Sequence, residues 1–311
     1  MENPIKPPAL ARHGSVRVIS PASPGNNASL RRGTAELLRR GYRVSAGRRK
    51  MKPRGYFAGT QEQRVAELEE ALRDRKADSL ICARGGYGTS ALLDRLQLPR
   101  TTRPKLVIGY SDITVLHCFL WERMRWTSLY GPMVGAGFDR GADEPGGYDR
   151  DSFANAVSGE RAEWKLSLES ETLVRGTATG VLAGGCITLL ETTLGTPWEL
   201  DTRGKILLLE DVGIKPYELD RMLLHLAQAG KFRGVRGIVL GDFPKCDPPT
   251  GSVVTVGEVC RRLLKPLGVP TVFGAPVGHT TRPMLTVPLG VRAMLRAEGA
   301  GKLHILERAV R

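Results

Sequence analysis

The chain has 311 residues, 41% of them hydrophobic, and a formal net charge of +14. That is enough for one large or two ordinary domains around a sizeable core. No apolar run approaches the ~20 residues of a membrane span, and residues 1–15 are polar and Pro-rich without a secretory apolar segment, so a cytoplasmic protein with no membrane partner is expected.

SVRVISP (15–21) reads as a buried strand running into a Ser/Pro loop. Leu30, Leu37 and Leu38 mark a helix stopped at Gly41, a usual place for a left-handed cap. Thr60 and Gln63 form a capping box before a helix carrying Val65, Leu68 and Leu72. SLICA (79–83) is the next strand, followed by RGGYG and a helix through Leu92, Leu93 and Leu96. LVIG (106–109) is another strand, and Ile113, Leu116 and Leu120 lie on the helix after it. This alternation predicts a mostly parallel, Rossmann-like sheet covered on both faces. Ligands bind beyond the carboxyl ends of such strands, where RGGYG and Ser111 would lie.

From about 136 to 172 the pattern weakens into Gly- and acid-rich sequence and charged residues around Trp164. GTATGVLAGGCITLL, KILLLE, GIVLGDF, PTVFG and LTVPLGVRAML are then strand candidates, with helices through Leu219, Leu223 and Leu226 and near Val259 and Leu263. The expected division is an N-terminal domain over 1–158, a linker over 159–175 and a C-terminal α+β domain over 176–311.

Cys82, Cys118, Cys186, Cys246 and Cys260 form no C-x-x-C pair and have no His at zinc-ligand spacing. They suit a reduced compartment and no metal. The positive charge favours an acidic partner. It is spread in short pieces (Arg31, Arg32, Arg39, Arg40, Arg48, Arg49, Lys50, Arg261, Arg262) without a nucleic-acid-binding signature. A solvated basic surface or a small acidic substrate fits better than nucleic acid.

Three segments end apolar strands with reactive side chains: Ser111 in KLVIGYSDIT, Glu210 in KILLLEDVG and His279 in VFGAPVGHTTRP. They supply a nucleophile, a carboxylate to orient a base, and the base. GYSD between strand and helix has the shape of a nucleophile elbow, although Ile113 stands where the pattern wants its last Gly. The N–H of Asp112 would then face a developing oxyanion, and that of Gly86 would complete the hole. The blander alternatives are that Ser111 or Asp112 caps the helix, that RGGYG is a tight turn, and that Glu210 is solvated or capping. Gly86 and Gly88 also match G-x-G-x-x-A, the dinucleotide fingerprint, but not after the first strand. His279 sits in a Gly/Pro/Thr loop, the kind of segment where functional residues concentrate. His117 and His225 fall in expected helices, and His13 and His304 lie near the termini.

GYFAGTQEQR, ICARGGYG, PKLVIGYSDITVLH, YGPM, GVLAGGCITLLETTLGT, LLLEDVGIKPYELDRML, GIVLGDF and PVGHTTRPMLTVPLG occur in this order over nearly the whole chain. In them the sequence resembles the LD-carboxypeptidase family of serine peptidases (muramoyltetrapeptide carboxypeptidases), which includes microcin self-immunity proteins. The resemblance implies a Ser111–His279–Glu210 triad, with Gly86 and Asp112 as backbone oxyanion donors. It implies a Rossmann-like domain carrying Ser111, a C-terminal domain with a small barrel-like sheet bringing Glu210 and His279, and a homodimer. The implied reaction removes the terminal D-alanine of a muropeptide tetrapeptide. Family members commonly carry Asn at the place of Cys186 and often His at that of Tyr130. Both departures are expected to alter the substrate cleft without touching the triad.

The expected enzyme is thus a serine carboxypeptidase needing no metal or cofactor. Arg84 and the backbone of Gly85 to Tyr87 are the candidates to bind the substrate carboxylate. One alternative is a microcin-immunity-like amidase acting on peptidyl-nucleotide conjugates, with Trp198 stacking on a base or merely packing. Another is a dinucleotide-binding oxidoreductase using Gly86 and Gly88.

Overall fold

The computed structural model describes residues 3–47, 51–99 and 101–311, so Arg48, Arg49 and Lys50 lie outside the described residues. In chain order come β1 (Ser15–Ile19), α1 (Asn27–Arg39), β2 (Arg43–Ala46), α2 (Gln61–Arg73), β3 (Ser79–Cys82), α3 (Ser90–Leu93), β4 (Leu106–Gly109), α4 (Thr114–Met124) and β5 (Ser128–Tyr130). Asn26 caps α1, its Oδ1 accepting from the N–H groups of Ala28 and Ser29. Gly41, at φ +87°, follows that helix's end, a backbone shape open to glycine at little cost. The capping box of Thr60 and Gln63 starts α2. The strand β2 has no apolar run to announce it: only Val44 of RVSA is not exposed.

These strands form a sheet of order β2-β1-β3-β4-β5, all parallel, with the sixth strand β12 (Val287–Leu289) added antiparallel to β5. The order reverses between β1 and β3, and ligand sites in open α/β sheets lie beyond the carboxyl ends at such a point. The loops after β1, β3 and β4 meet there.

The second sheet contains β6 (Trp164–Ser167), β7 (Glu171–Val174), β8 (Gly176–Cys186), β9 (Lys205–Glu210), β10 (Gly237–Gly241), β11 (Thr271–Ala275), β13 (Arg292–Ala297) and β14 (Lys302–Ile305). Its order is β6-β14-β13-β8-β9-β10-β11-β7. The four strands β8 to β11 are parallel and the rest antiparallel. β6 and β7 are its two edges, so the barrel-like sheet is in fact an open one. The stretch 159–175, expected as a linker, carries both edge strands; Trp164 and Leu166 alternate with exposed residues and are buried. The run LTVPLGVRAML is two strands in two different sheets. It turns at Gly290, φ +82°, where a Cβ would lie 2.6 Å from the Trp121 ring.

α6 (Ile187–Thr192), α7 (Pro216–Gln228) and α8 (Val256–Leu264) cover one face of the second sheet. The strand KILLLE shows what that does to its side chains. Leu207 and Leu209 pack among these helices, whereas Ile206 and Leu208 point into the core shared with the first sheet. Side chains alternate along a strand, so Glu210 continues the row toward the first sheet and Asp211 the row toward the helices. No helix among the described residues is long and apolar enough to cross a membrane.

Candidate active site

β4 ends at Gly109. Tyr110 remains extended, at φ −146°, and Ser111 then turns into the left-handed region at φ +65° before a single 3₁₀ turn, Ser111–Ile113, leads into α4. A serine in that region costs of order 1–3 kcal/mol and persists where its surroundings over-determine it. Here they do. The Ser111 N–H donates to Tyr130 Oη at 3.2 Å, and Ile113 N–H to Tyr110 O at 3.3 Å. His117 of α4 reaches back to Gly109 O at 2.9 Å through Nε2 and to Ser128 Oγ at 2.8 Å through Nδ1. A carbonyl only accepts, so Nε2 carries the proton and Nδ1 accepts from the serine. Burial pushes this imidazole down to about 4, against the pull of the Gly109 carbonyl, so it serves as a neutral brace.

The RGGYG loop after β3 lies on this turn. A Cβ at Gly85 would fall 2.8 Å from Ser111 Cβ and 3.0 Å from its Oγ. Gly86 has φ +108°, and a Cβ there would meet Ser23 Oγ at 2.4 Å. Ser23, in the loop after β1, donates its N–H to Gly85 O and accepts the Tyr87 N–H at 3.1 Å. Asp112 turns its side chain away from solvent, its Oδ2 accepting from the N–H and hydroxyl of Thr89 at 2.9 and 2.6 Å. The N–H groups of Gly86 and Asp112 have no acceptor among the described residues. Asp112 follows Ser111 directly, the place whose N–H faces an oxyanion in a nucleophile elbow.

Glu210 is fully buried at the end of β9. Its Oε2 accepts from His279 twice, from Nδ1 at 2.8 Å and from the backbone N–H at 2.9 Å. His279 follows β11 in a turn whose Gly278, φ +63°, leaves room for the carboxylate: a Cβ there would lie 2.4 Å from Glu210 Cδ. The loop is pinned beyond His279 as well. Thr280 Oγ1 donates to Asp242 Oδ2, and Arg282 Nη2 donates to Asp242 Oδ1 at 2.5 Å. Burial disfavours the His279 imidazolium, but the charge of Glu210 and its hydrogen bond outweigh that and raise the pKa above the ordinary value. With Nδ1 bonded to a carboxylate, Nε2 is the ring nitrogen left to exchange a proton.

Asp211 faces the other way, as the alternation of KILLLE requires. Its Oδ2 accepts from Thr188 N–H and Oγ1 at 2.9 and 2.7 Å, at the start of α6.

The fold therefore brings Ser111, Glu210 and His279 toward one place, with the Tyr110 and His279 rings edge-to-face at 5.0 Å. Ser111 Oγ makes no hydrogen bond among the described residues, and His279 is 17% exposed. Arg84 and Tyr87 are exposed beside Gly85 and Gly86. Trp198 instead packs against Phe119 of α4, ring centroids 6.1 Å apart. The dinucleotide reading has no matching frame: the loop follows β3, and α3 is a single turn.

The expectation that Tyr130 stands clear of Ser111, Glu210 and His279 is corrected. Tyr130 is fully buried, paired in register with Gly109, and its hydroxyl donates to Glu210 Oε1 at 2.5 Å. Cys186 is buried opposite Glu210 in the β8–β9 ladder, and its N–H donates to Thr114 Oγ1 at 3.0 Å. Thr114, Ser23 and Asp242 go unnamed in the sequence reading, His117 is set aside there as helical, and Tyr130 is expected at the cleft but not in contact with Ser111 and Glu210. The signal for Tyr130 was its departure from the His that relatives often carry before GPM.

Family models match two stretches: the LD-carboxypeptidase N-terminal domain over residues 16–131 and the LD-carboxypeptidase C-terminal domain over 179–295. The "probable murein peptide carboxypeptidase" of Bacillus subtilis is 34% identical over 308 residues, covering 98% of this chain and 95% of that one. The solved structure of a muramoyltetrapeptide carboxypeptidase from Oxalobacter formigenes is 29% identical, with a TM-score of 0.82, over 94% of this chain and 99% of that one. The microcin C7 self-immunity protein MccF shares the fold at a TM-score of 0.88 and 23% identity, over 99% of this chain and 100% of that one. Matched along nearly its whole length and through both domains, the chain belongs to the LD-carboxypeptidase family.

Proposed function

We propose that this chain hydrolyses the L,D-peptide bond to the terminal D-alanine of muropeptide tetrapeptides, with Ser111 as nucleophile, His279 as general base and acid, and Glu210 as its orienting carboxylate. The observation that carries the reading is the double hold of Glu210 on His279, made from a strand end that faces the strained Ser111 turn. The names of the relatives supply the substrate class.

In the first step His279 Nε2 takes the Ser111 proton as Oγ attacks the carbonyl carbon. Glu210 stabilises the imidazolium that forms. The N–H groups of Gly86 and Asp112 receive the oxyanion, fixed dipoles that need no reorganisation during reaction. Collapse breaks the C–N bond, and the imidazolium protonates the leaving amine of D-alanine. Water then gives a proton to His279 and attacks the ester, releasing the tripeptide and restoring the Ser111 hydroxyl. Arg84, exposed beside the loop, is placed to attract the free carboxylate of the substrate, as is the excess positive charge of the chain.

The test is incubation with a muropeptide tetrapeptide ending in D-alanine, followed by mass measurement. Loss of one alanine is expected. An intact tetrapeptide, with cleavage of a peptidyl-nucleotide amide instead, would move the chain to the amidase reading.

A further inference from the structure

Among the described residues, Tyr130 is the one side chain that hydrogen-bonds both the Ser111 backbone and Glu210. Its hydroxyl has one proton to give and two lone pairs to fill. The Ser111 N–H takes one lone pair at 3.2 Å. Thr114 Oγ1, itself oriented by accepting the Cys186 N–H at 3.0 Å, approaches the other at 3.5 Å. The proton is then committed to Glu210 Oε1, 2.5 Å away. Glu210 is left with Oε2 for His279. The direction of every proton along this chain follows from donor counting.

We propose that Tyr130 is a positioning residue that couples the Ser111 turn to the Glu210–His279 pair. It holds the strained turn by its oxygen and divides the charge of Glu210 by its proton. The proposal rests on the triad reading above.

The groups facing Glu210 define what removal of that proton would do. His279 faces it from the loop after β11, Tyr110 from the end of β4 and Tyr130 from β5. Cys186 faces it from β8, and Asp211 follows it on β9. On the β10 side Gly241 lies against its Cβ, and Asp242 is engaged by Arg282 and Thr280. Among these, Tyr130 and His279 are the side chains that donate to the Glu210 carboxylate. Without the hydroxyl, the charge of Glu210 falls on His279 alone and the proton affinity of the pair rises. The form with a neutral imidazole then appears only at higher pH.

Tyr130→Phe removes one oxygen and keeps the ring. We expect kcat to fall about 10- to 100-fold, the scale of a hydrogen bond to a buried charge, with KM little changed. The acidic limb of the kcat/KM profile should move to higher pH. Partial unfolding would lower the active fraction at every pH and leave the limb where it was. Ser111→Ala is measured beside it. An inactive Ser111→Ala together with a Tyr130→Phe enzyme of unchanged kcat and limb overturns the coupling and leaves the triad standing. An active Ser111→Ala removes the triad, and the coupling with it.

Discussion

The Ser111 turn and the His279 loop both follow parallel strands, yet they are held by different means. At Ser111 the backbone itself is in an uncommon shape, at φ +65°, between a strand and a helix contiguous with it. At His279 side chains do the holding: Glu210 grips the ring and the backbone N–H, and Asp242 grips Thr280 and Arg282 from the neighbouring strand end. The turn pairs an uncommon backbone shape with a single hold from Tyr130, 19 residues away, while the loop depends on partners 69 and 38 residues away in sequence. The turn places the Ser111 hydroxyl; Glu210 sets the charge of His279. Changes on the two sides should therefore fail differently.

The largest effect is expected where the reacting atom is lost. Ser111→Ala should lower turnover by roughly 10⁴ or more, with a melting temperature near that of the native chain. Wild-type-like turnover would end the covalent mechanism.

Glu210→Gln attacks the other side. An amide cannot stabilise the imidazolium and favours the wrong tautomer, and the analogous change in a Ser–His–Asp enzyme costs about 10⁴ in kcat. A comparable loss, carried by kcat rather than KM, is expected from steady-state rates.

The same partnership fixes the pH dependence. His279 must be neutral to take the Ser111 proton. Its pKa is raised, burial notwithstanding, by Glu210. Activity should therefore fall as pH drops through a value above the ~6.5 of an ordinary imidazole. In Glu210→Gln the charge is gone and burial prevails, so the residual activity should persist to lower pH. A limb that stays put in that variant would assign the titration to another group.

Ser111→Gly isolates the backbone from the chemistry. Glycine adopts φ +65° freely, so the variant should be inactive yet more stable, by about 1 kcal/mol, read as a rise in melting temperature. A lower melting temperature would mean that the hydroxyl, not the turn, was the structural element. The smallest effect is expected at Asp211→Asn. Its carboxylate serves the start of α6 and faces away from His279, so turnover should change by less than roughly threefold while stability falls by about 1 kcal/mol. A crippled Asp211→Asn with a near-normal Glu210→Gln would show the wrong acid assigned.

What the sequence revealed follows the same division. Ser111, Glu210 and His279 each end an apolar run, and the period-two alternation of KILLLE turns Glu210 and Asp211 to opposite faces. The capping box of Thr60 and Gln63 and the glycine stop at Gly41 are local, and they were legible. Tyr130 was not, because its role depends on lying beside Gly109 in one sheet and opposite Glu210 of another. β2 is mostly exposed, β5 spans three residues, and the division of LTVPLGVRAML rests on one glycine, none of which leaves an apolar period to read.

That division at Gly290 also orders the molecule in time. β5 is an inner strand only because β12 pairs with it, Tyr130 opposite Val287. During synthesis, at 5–20 residues per second, the ribosome needs roughly 10–30 s to go from one to the other. Throughout that interval the sheet carrying Ser111 has a bare edge at Ser128–Tyr130, and the strand with Glu210 and the loop with His279 are still being made. The sheet carrying Ser111 is thus completed by a strand that follows His279 in sequence. A nascent chain stalled before β12 would carry Ser111, Glu210 and His279 beside an unpaired sheet edge at β5.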